Sequence, residues 1–205
     1  MRDETPVLIG AGQFTYRGEA AVSPSPLTMI KIAAERAAQD AGLGVETLAG
    51  LDGLAVAAFA IDAAGNQGRF PVPRLRNPPA SLARRLEASP RYMSYSHMGG
   101  NTPQQLVNML CERIARGEND FVLAVGAEFL GSLTKRLKTG AGFDDFETED
   151  ELGDPDGSAT RAPASARWRR CMASAPRSPP IPCSKPPCAP EMGAALPTTR
   201  RGSAR

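Results

Sequence analysis

Apolar positions in the first 130 residues fall into two kinds of pattern. Val7-Leu8-Ile9, closed by Gly10-Ala11-Gly12, and the stretch Leu51 to Ala60 are near-continuous apolar runs. Tyr92 to Ser96 and Phe121 to Val125 are two more. Unbroken runs of this length, bounded by glycines and prolines, predict strands buried on both faces. Between them the apolar positions recur at helical spacing. Ser25-Pro26 opens the first such segment, with a capping residue followed by proline at the first helical position. Leu27, Ile30, Ala33 or Ala34, Ala37 and Ala41 form its apolar stripe, and Gly42 is placed to end it. A short helix around Ala80 to Ala88 carries Leu82 and Leu86 and is stopped by Pro90. Thr102-Pro103-Gln104-Gln105 opens a third helix. Thr102 is expected to cap it, Pro103 to take the first helical position, and Gln105 to complete a capping box. Leu106, Leu110 and Ile114, with Val107 and Cys111, give its stripe, and Gly117 closes it.

Strands alternating with helices predict an α/β fold with one mostly parallel sheet and helices on both faces. Residues 62 to 79 are rich in Gly, Pro and Arg and read as loop. From Thr134 to Gly157 the periodicity gives way to glycines and acids. The run Asp144 to Glu151 reads as a solvated loop face rather than a metal site. The organisation expected is a folded half over 1–135, the start of an acidic loop region over 136–157, and a tail over 158–205.

Composition changes the picture only in that tail. The whole 205-residue chain has a formal net charge of +2, but residues 161–205 hold nine Lys or Arg against Glu191 alone. That segment carries +8, leaving −6 for the first 160 residues, and it holds nine of the 19 prolines. Dominated by Pro, Arg, Ser and Ala, it is expected to be disordered, because it cannot bury enough apolar surface to offset its ordering entropy. Its charge would permit weak contact with nucleic acid, but it has no DNA- or RNA-binding motif, and no nucleic-acid partner is expected. Three of the four cysteines (Cys171, Cys183, Cys188) lie in it at spacings that match no paired zinc pattern, and the chain has one histidine. No metal site and no disulfide framework are therefore expected. The N-terminal apolar run is too short for a signal peptide and no window is long enough to span a bilayer, so the expected location is the cytoplasm.

The stretch Gly99-Gly100-Asn101-Thr102-Pro103, the helix through Ile114-Ala115-Arg116-Gly117, and Glu118-Asn119-Asp120-Phe121-Val122-Leu123-Ala124-Val125-Gly126-Ala127-Glu128 together resemble the nucleophile region of thiolases. Val7 to Gly12, the helix ending at Gly42 and Leu51-Asp52-Gly53-Leu54 fall where a thiolase half places them, so the resemblance covers about residues 5–150. It implies a thiolase-like fold, of which this chain carries the N-terminal half. It also implies coenzyme A thioesters as ligand or substrate, with no covalently bound cofactor. In that family a cysteine at the start of the buried helix attacks as thiolate, favoured by the positive end of the helix. Counted back along the helix, Gly100 occupies the nucleophile position, and no cysteine lies between Tyr92 and Leu110. Cys111 lies nine residues past Thr102, about 13 Å along the axis, and reads as a core residue. The Gly-for-Cys departure and the Gly-Gly-Asn-Thr-Pro turn are closest to the thiolase-like proteins of type 1, which are often labelled acetyl-CoA acetyltransferases.

No catalytic residue is assigned. His97, Gly99, Gly100 and Asn101 are the substrate-binding candidates. His97 reads either as a donor to a thioester oxygen or as a polar residue at a strand end bonded to backbone. Gly99 and Gly100 either let a ligand approach closely or permit a tight turn. The function implied is acyl-CoA handling in the acetyl-CoA acetyltransferase class, without the nucleophile. The alternatives are a non-catalytic acyl-CoA or lipid-binding protein, or a truncated fragment without function. Oligomerisation of the intact protein is left open. The tail also reads as a shifted frame. Recoded from the last base of the Cys171 codon, with free choice of wobble bases, it gives a string with a Tyr-Pro-Leu-Phe-Glu core that resembles the continuation of these proteins. Half of such a fold is expected to expose apolar surface and to aggregate or unfold without a sharp transition.

Overall fold

The computed structural model describes residues 5–62, 72–148 and 152. The chain divides into two compact units, Met1–Ala164 and Ser165–Arg205. Every element below belongs to the first. The second, and with it the expectation of a disordered or frame-shifted tail, lies outside the described residues, as do Glu149 to Glu151 of the acidic run.

Three strands, β1 (Gly53–Ala57), β2 (Tyr92–Tyr95) and β3 (Val122–Gly126), form one parallel sheet in the order β2-β1-β3. The register pairs Leu54 with Met93 on one side and with Leu123 on the other. Around it stand α1 (Pro26–Asp40), α2 (Pro78–Arg85), α3 (Thr102–Ala115) and α4 (Leu130–Thr139). Alternation along β1 sorts the helices between the two faces. Leu54 and Val56, both fully buried, join Leu27, Ile30, Leu82 and Leu133 in the larger core. Ala55, pointing the other way, packs with Leu106 and Leu110 of α3 in a second, smaller one. The expected α/β architecture, one parallel sheet with helices on both faces, is the one observed.

Local chemistry fixes the helix ends much as the sequence predicts. Ser25 caps α1, its Oγ accepting the Thr28 N–H at 3.2 Å, with Pro26 next in line. Asn77 does the same for α2 through Ala80, ahead of two prolines. Gly42 and Gly117, both at positive φ, end α1 and α3.

Four expectations need correction. Val7-Leu8-Ile9 is not a strand: it has no partner strand among the described residues and is 58%, 88% and 53% exposed. The segment just after it is held instead, because Gly10 and Gly12 press against the backbone of α1. A Cβ on Gly12 would stand 2.1 Å from the Ala33 carbonyl oxygen. The apolar run Leu51 to Ala60 yields only the five residues of β1, since Ala60–Asp62 turns into a 3-10 helix. The segment from Thr134, expected to dissolve into loop, continues α4, whose buried positions are Leu133 and Arg136. The capping box of α3 does not form. Asn101 stands at the cap without a side-chain bond, and Thr102 is the first helical residue.

The hub at the start of the strands explains part of the thiolase-like signature. The Asp52 carboxylate accepts the N–H groups of Asp120 (3.0 Å) and Phe121 (3.2 Å) and pairs with Arg91 at 2.8 Å. Its carbonyl accepts Tyr92 N–H and the side-chain amide of Asn119. Asn119 is 1% exposed and also takes Arg113 Nε at 2.7 Å. At the far end of β3, Glu128 Oε1 accepts the N–H groups of Phe129 and Leu130 at the start of α4. The polar members of the signature thus tie strand ends to their neighbours.

Candidate functional site

The turn between β2 and α3 gathers three of the four candidate residues. Ser96 closes the β2 ladder, its N–H reaching the Val56 carbonyl, and its Oγ accepts the Ala58 N–H at 3.0 Å. The same hydroxyl donates to the His97 carbonyl at 2.9 Å. Thr102, 2% exposed, donates to that carbonyl from the other side at 3.2 Å. Thr102 does not cap because it is already the first helical residue, one position past the cap held by Asn101. The hydroxyls therefore fix the backbone of His97. Its ring Cδ2 comes to 3.6 Å from the place a Cβ on Gly99 would occupy, with Thr102 Oγ1 at 3.0 Å and Asn101 Oδ1 at 3.4 Å. Gly99 is glycine in a crowded place.

Gly100 is the opposite case. Among the described residues nothing stands within 4 Å of its virtual Cβ, and its φ is not positive. The structure thus brings His97, Gly99 and Asn101 together and leaves Gly100 at the rim, with room for a side chain. Donors at the head of α3 are few. The Thr102 N–H is bound by Gly99 O, Pro103 has none, and the Gln105 N–H returns to Asn101 O. Cys111 is a free thiol of intermediate burial, nine positions down the helix. It lies on the flank with Val107, which is 45% exposed, rather than in the packed row of Leu106 and Leu110. The expected core position is therefore only partly covered. Among the described residues no group of three His, Cys, Asp or Glu could hold a metal ion.

Two further features of the molecule escape the sequence pattern. Tyr95, the last residue of β2, hydrogen-bonds Asp62 from across the sheet edge. Arg136 is 1% exposed and fully engaged: Nε and Nη2 donate to Ser23, Nη1 to Gly142 O, and both Nη atoms to the Asp145 carboxylate. Its guanidinium also lies 4.9 Å from the Phe146 ring centroid. Arg136 sits at a buried helical position of α4, beside Leu133, so a helical reading of that segment would have found it. Nothing in the sequence links Asp62 to Tyr95.

No family model matches the chain, and no curated protein matches it. Solved structures do. A monomeric SCP2-thiolase-like protein type 1 from Mycobacterium smegmatis is 34% identical over the matched part, with a TM-score of 0.48. The match covers 62% of this chain and 24% of that one. The 3-oxoacyl-(acyl-carrier-protein) synthase III of Aquifex aeolicus VF5 is 22% identical, with a TM-score of 0.39, over 57% of this chain and 32% of its own. This chain therefore spans about a quarter of the first neighbour's length and a third of the second's. Among the described residues no helix is long and apolar enough to cross a membrane. Over 62% of its length the chain is similar to part of a thiolase-like protein of type 1, the group that its sequence resembles.

Proposed function

We propose that this chain takes part in acyl-CoA handling on a thiolase-like scaffold, in the acetyl-CoA acetyltransferase class, and that it does so without forming an acyl-enzyme. The observation that supports this reading is the turn itself. His97, Gly99 and Asn101 converge at the head of α3, and the nearest thiol along the helix is Cys111. Counted back along the sequence, Gly100 takes the family's nucleophile position. A thioester carbonyl lying over Gly99 would meet polar groups but no attacking sulfur.

The empty space at Gly100 favours a second reading, in which the site only binds acyl-CoA or lipid. Calorimetry with acetyl-CoA tests binding, and incubation with acetyl-CoA labelled in the acyl group tests transfer. Binding without a covalent adduct is expected, and turnover of a second acyl acceptor would separate the acyltransferase from the binder. A stable acyl-protein adduct in the native chain overturns the proposal, and failure to bind any coenzyme A thioester overturns both readings and leaves a fragment without function. Gly100→Cys has steric room in the structure, and an adduct that appears only in this variant is the expected result.

A further inference from the structure

Asp62 and Tyr95 belong to different elements and meet beside the candidate site. Asp62 ends the 3-10 turn that comes after β1, and Tyr95 ends β2. The Tyr95 hydroxyl donates to Asp62 Oδ2 at 2.5 Å and accepts the Phe59 N–H at 3.0 Å. Its ring stands edge-on to Phe59, with centroids 6.1 Å apart. One residue later Ser96 repeats the device, linking Ala58 N–H to the His97 carbonyl that Thr102 also holds. Two hydroxyl bridges therefore carry the end of β2 and the adjoining turn on the chain that leaves β1. Only the Tyr95 bridge ends on a carboxyl group.

We propose that Asp62 is a positioning residue: through the Tyr95 hydroxyl it sets where the Ser96–Thr102 turn stands, and gain or loss of its proton shifts that turn. Among the described residues the charged groups around it are few. Arg74 approaches its Oδ1 at 3.5 Å. Glu147 lines the same small cavity and is itself 3.6 Å from Arg85. Burial pushes the Asp62 carboxyl above the ordinary value of 3.8, against the opposing pull of the Tyr95 hydrogen bond and Arg74. Burial, then the charge and hydrogen bond of Asp62, hold the Tyr95 phenol far above its usual range, so it stays a donor. The folded chain thus holds the Asp62 proton more tightly than the unfolded one. Burial of Asp62 is favoured in acid and becomes costlier as pH rises through the raised value. The Tyr95 hydrogen bond and Arg74 favour the ionised carboxylate, so gain or loss of the proton changes the strength of the Tyr95 link.

The test reads both ends of the link in the full chain, by NMR with ring-labelled tyrosine and methyl-labelled threonine. The Tyr95 ring and the Thr102 methyl are expected to move together as pH rises through the raised Asp62 value. Asp62→Asn should abolish both steps, and Tyr95→Phe should abolish the Thr102 step. Each variant is checked for a native circular dichroism spectrum, and His97→Gln removes the contribution of the chain's one imidazole. A Thr102 methyl that ignores pH while the Tyr95 ring signal follows Asp62 overturns the proposal in the native chain alone. So does a step that survives in Asp62→Asn. Neither outcome depends on what the turn binds.

Discussion

Arg136 carries a full charge at a position that solvent does not reach, and its five donors are matched by Ser23, Gly142 and Asp145. Asp145 stands half outside, and its pairing with Arg136 holds its carboxyl below the ordinary range. Arg136→Ala removes the ties between α4 and the loop at 142–146 and opens a cavity beside Phe143 and Phe146. A loss of about 3 kcal/mol is expected in urea unfolding, from the cavity and from the Ser23 and Gly142 acceptors left unpaired, since the half-exposed Asp145 is rehydrated. Asp52 makes a second residue-scale argument. Burial works against its charge, but Arg91, the N–H groups of Asp120 and Phe121, and Asn119 together hold its carboxyl below 3.8. A depressed carboxyl contributes stability above its unfolded value and loses it as pH falls through the folded one. The native chain should therefore lose stability below about pH 4, and Asp52→Asn should flatten that acid limb when melting is followed against pH. Neither role is legible in the sequence. Asp52 is visible there only as part of a motif, because the backbone groups it binds lie 68 and 69 positions further on. Arg136 is hidden because its segment reads as loop rather than helix.

At the level of elements, sequence reading succeeds where one residue decides a local geometry. Ser25 before Pro26 fixes the start of α1, and Ser25→Ala is expected to cost about 1 kcal/mol in thermal unfolding. Thr102 fails the same logic because the helix starts one residue earlier than the spacing predicts, with Asn101 at the cap and the Thr102 hydroxyl turned to the His97 carbonyl. The run Val7 to Ile9 fails for a different reason. Strand propensity describes what a segment can do once a neighbour is present, and among the described residues no strand stands beside it. The glycines after it have a firm role. Gly12→Ala would drive a methyl group into the Ala33 carbonyl and the Ala37 amide, 2.1 and 2.5 Å away. Loss of the Arg36 contacts to Gln13 and Phe14, read as faster hydrogen exchange across residues 10–14, is the expected result.

The fold class is readable because it depends on the order of whole elements, which survives errors at their ends. How much of the molecule is covered is less so. β2 and β3 are the edges of a three-stranded sheet, Val7 to Ile9 lies open, and Met98 and Val107 are 49% and 45% exposed near the head of α3. Calorimetry is expected to give a broad transition, with an observed enthalpy below that of a two-state domain of this size. A sharp, reversible transition of the monomer would contradict this. Protonation adds a global signature. Asp62 is held above its ordinary value and Asp52 below, so they tilt stability in opposite directions as pH rises. Asp62→Asn should raise the melting temperature at neutral pH and leave it nearly unchanged in strong acid, where the native carboxyl is already neutral.

Gly100 has a consequence on another timescale. A position with open space around it and no demand on φ is one where the genetic code can experiment without harm to the scaffold. Glycine and cysteine codons can differ by a single base. On the alignment that places Gly100 at the thiolase nucleophile, an ancestor could have lost its thiol in one mutational step, and a descendant could regain it in one. Selection would then see only the chemistry, because folding gives it nothing to oppose at that position.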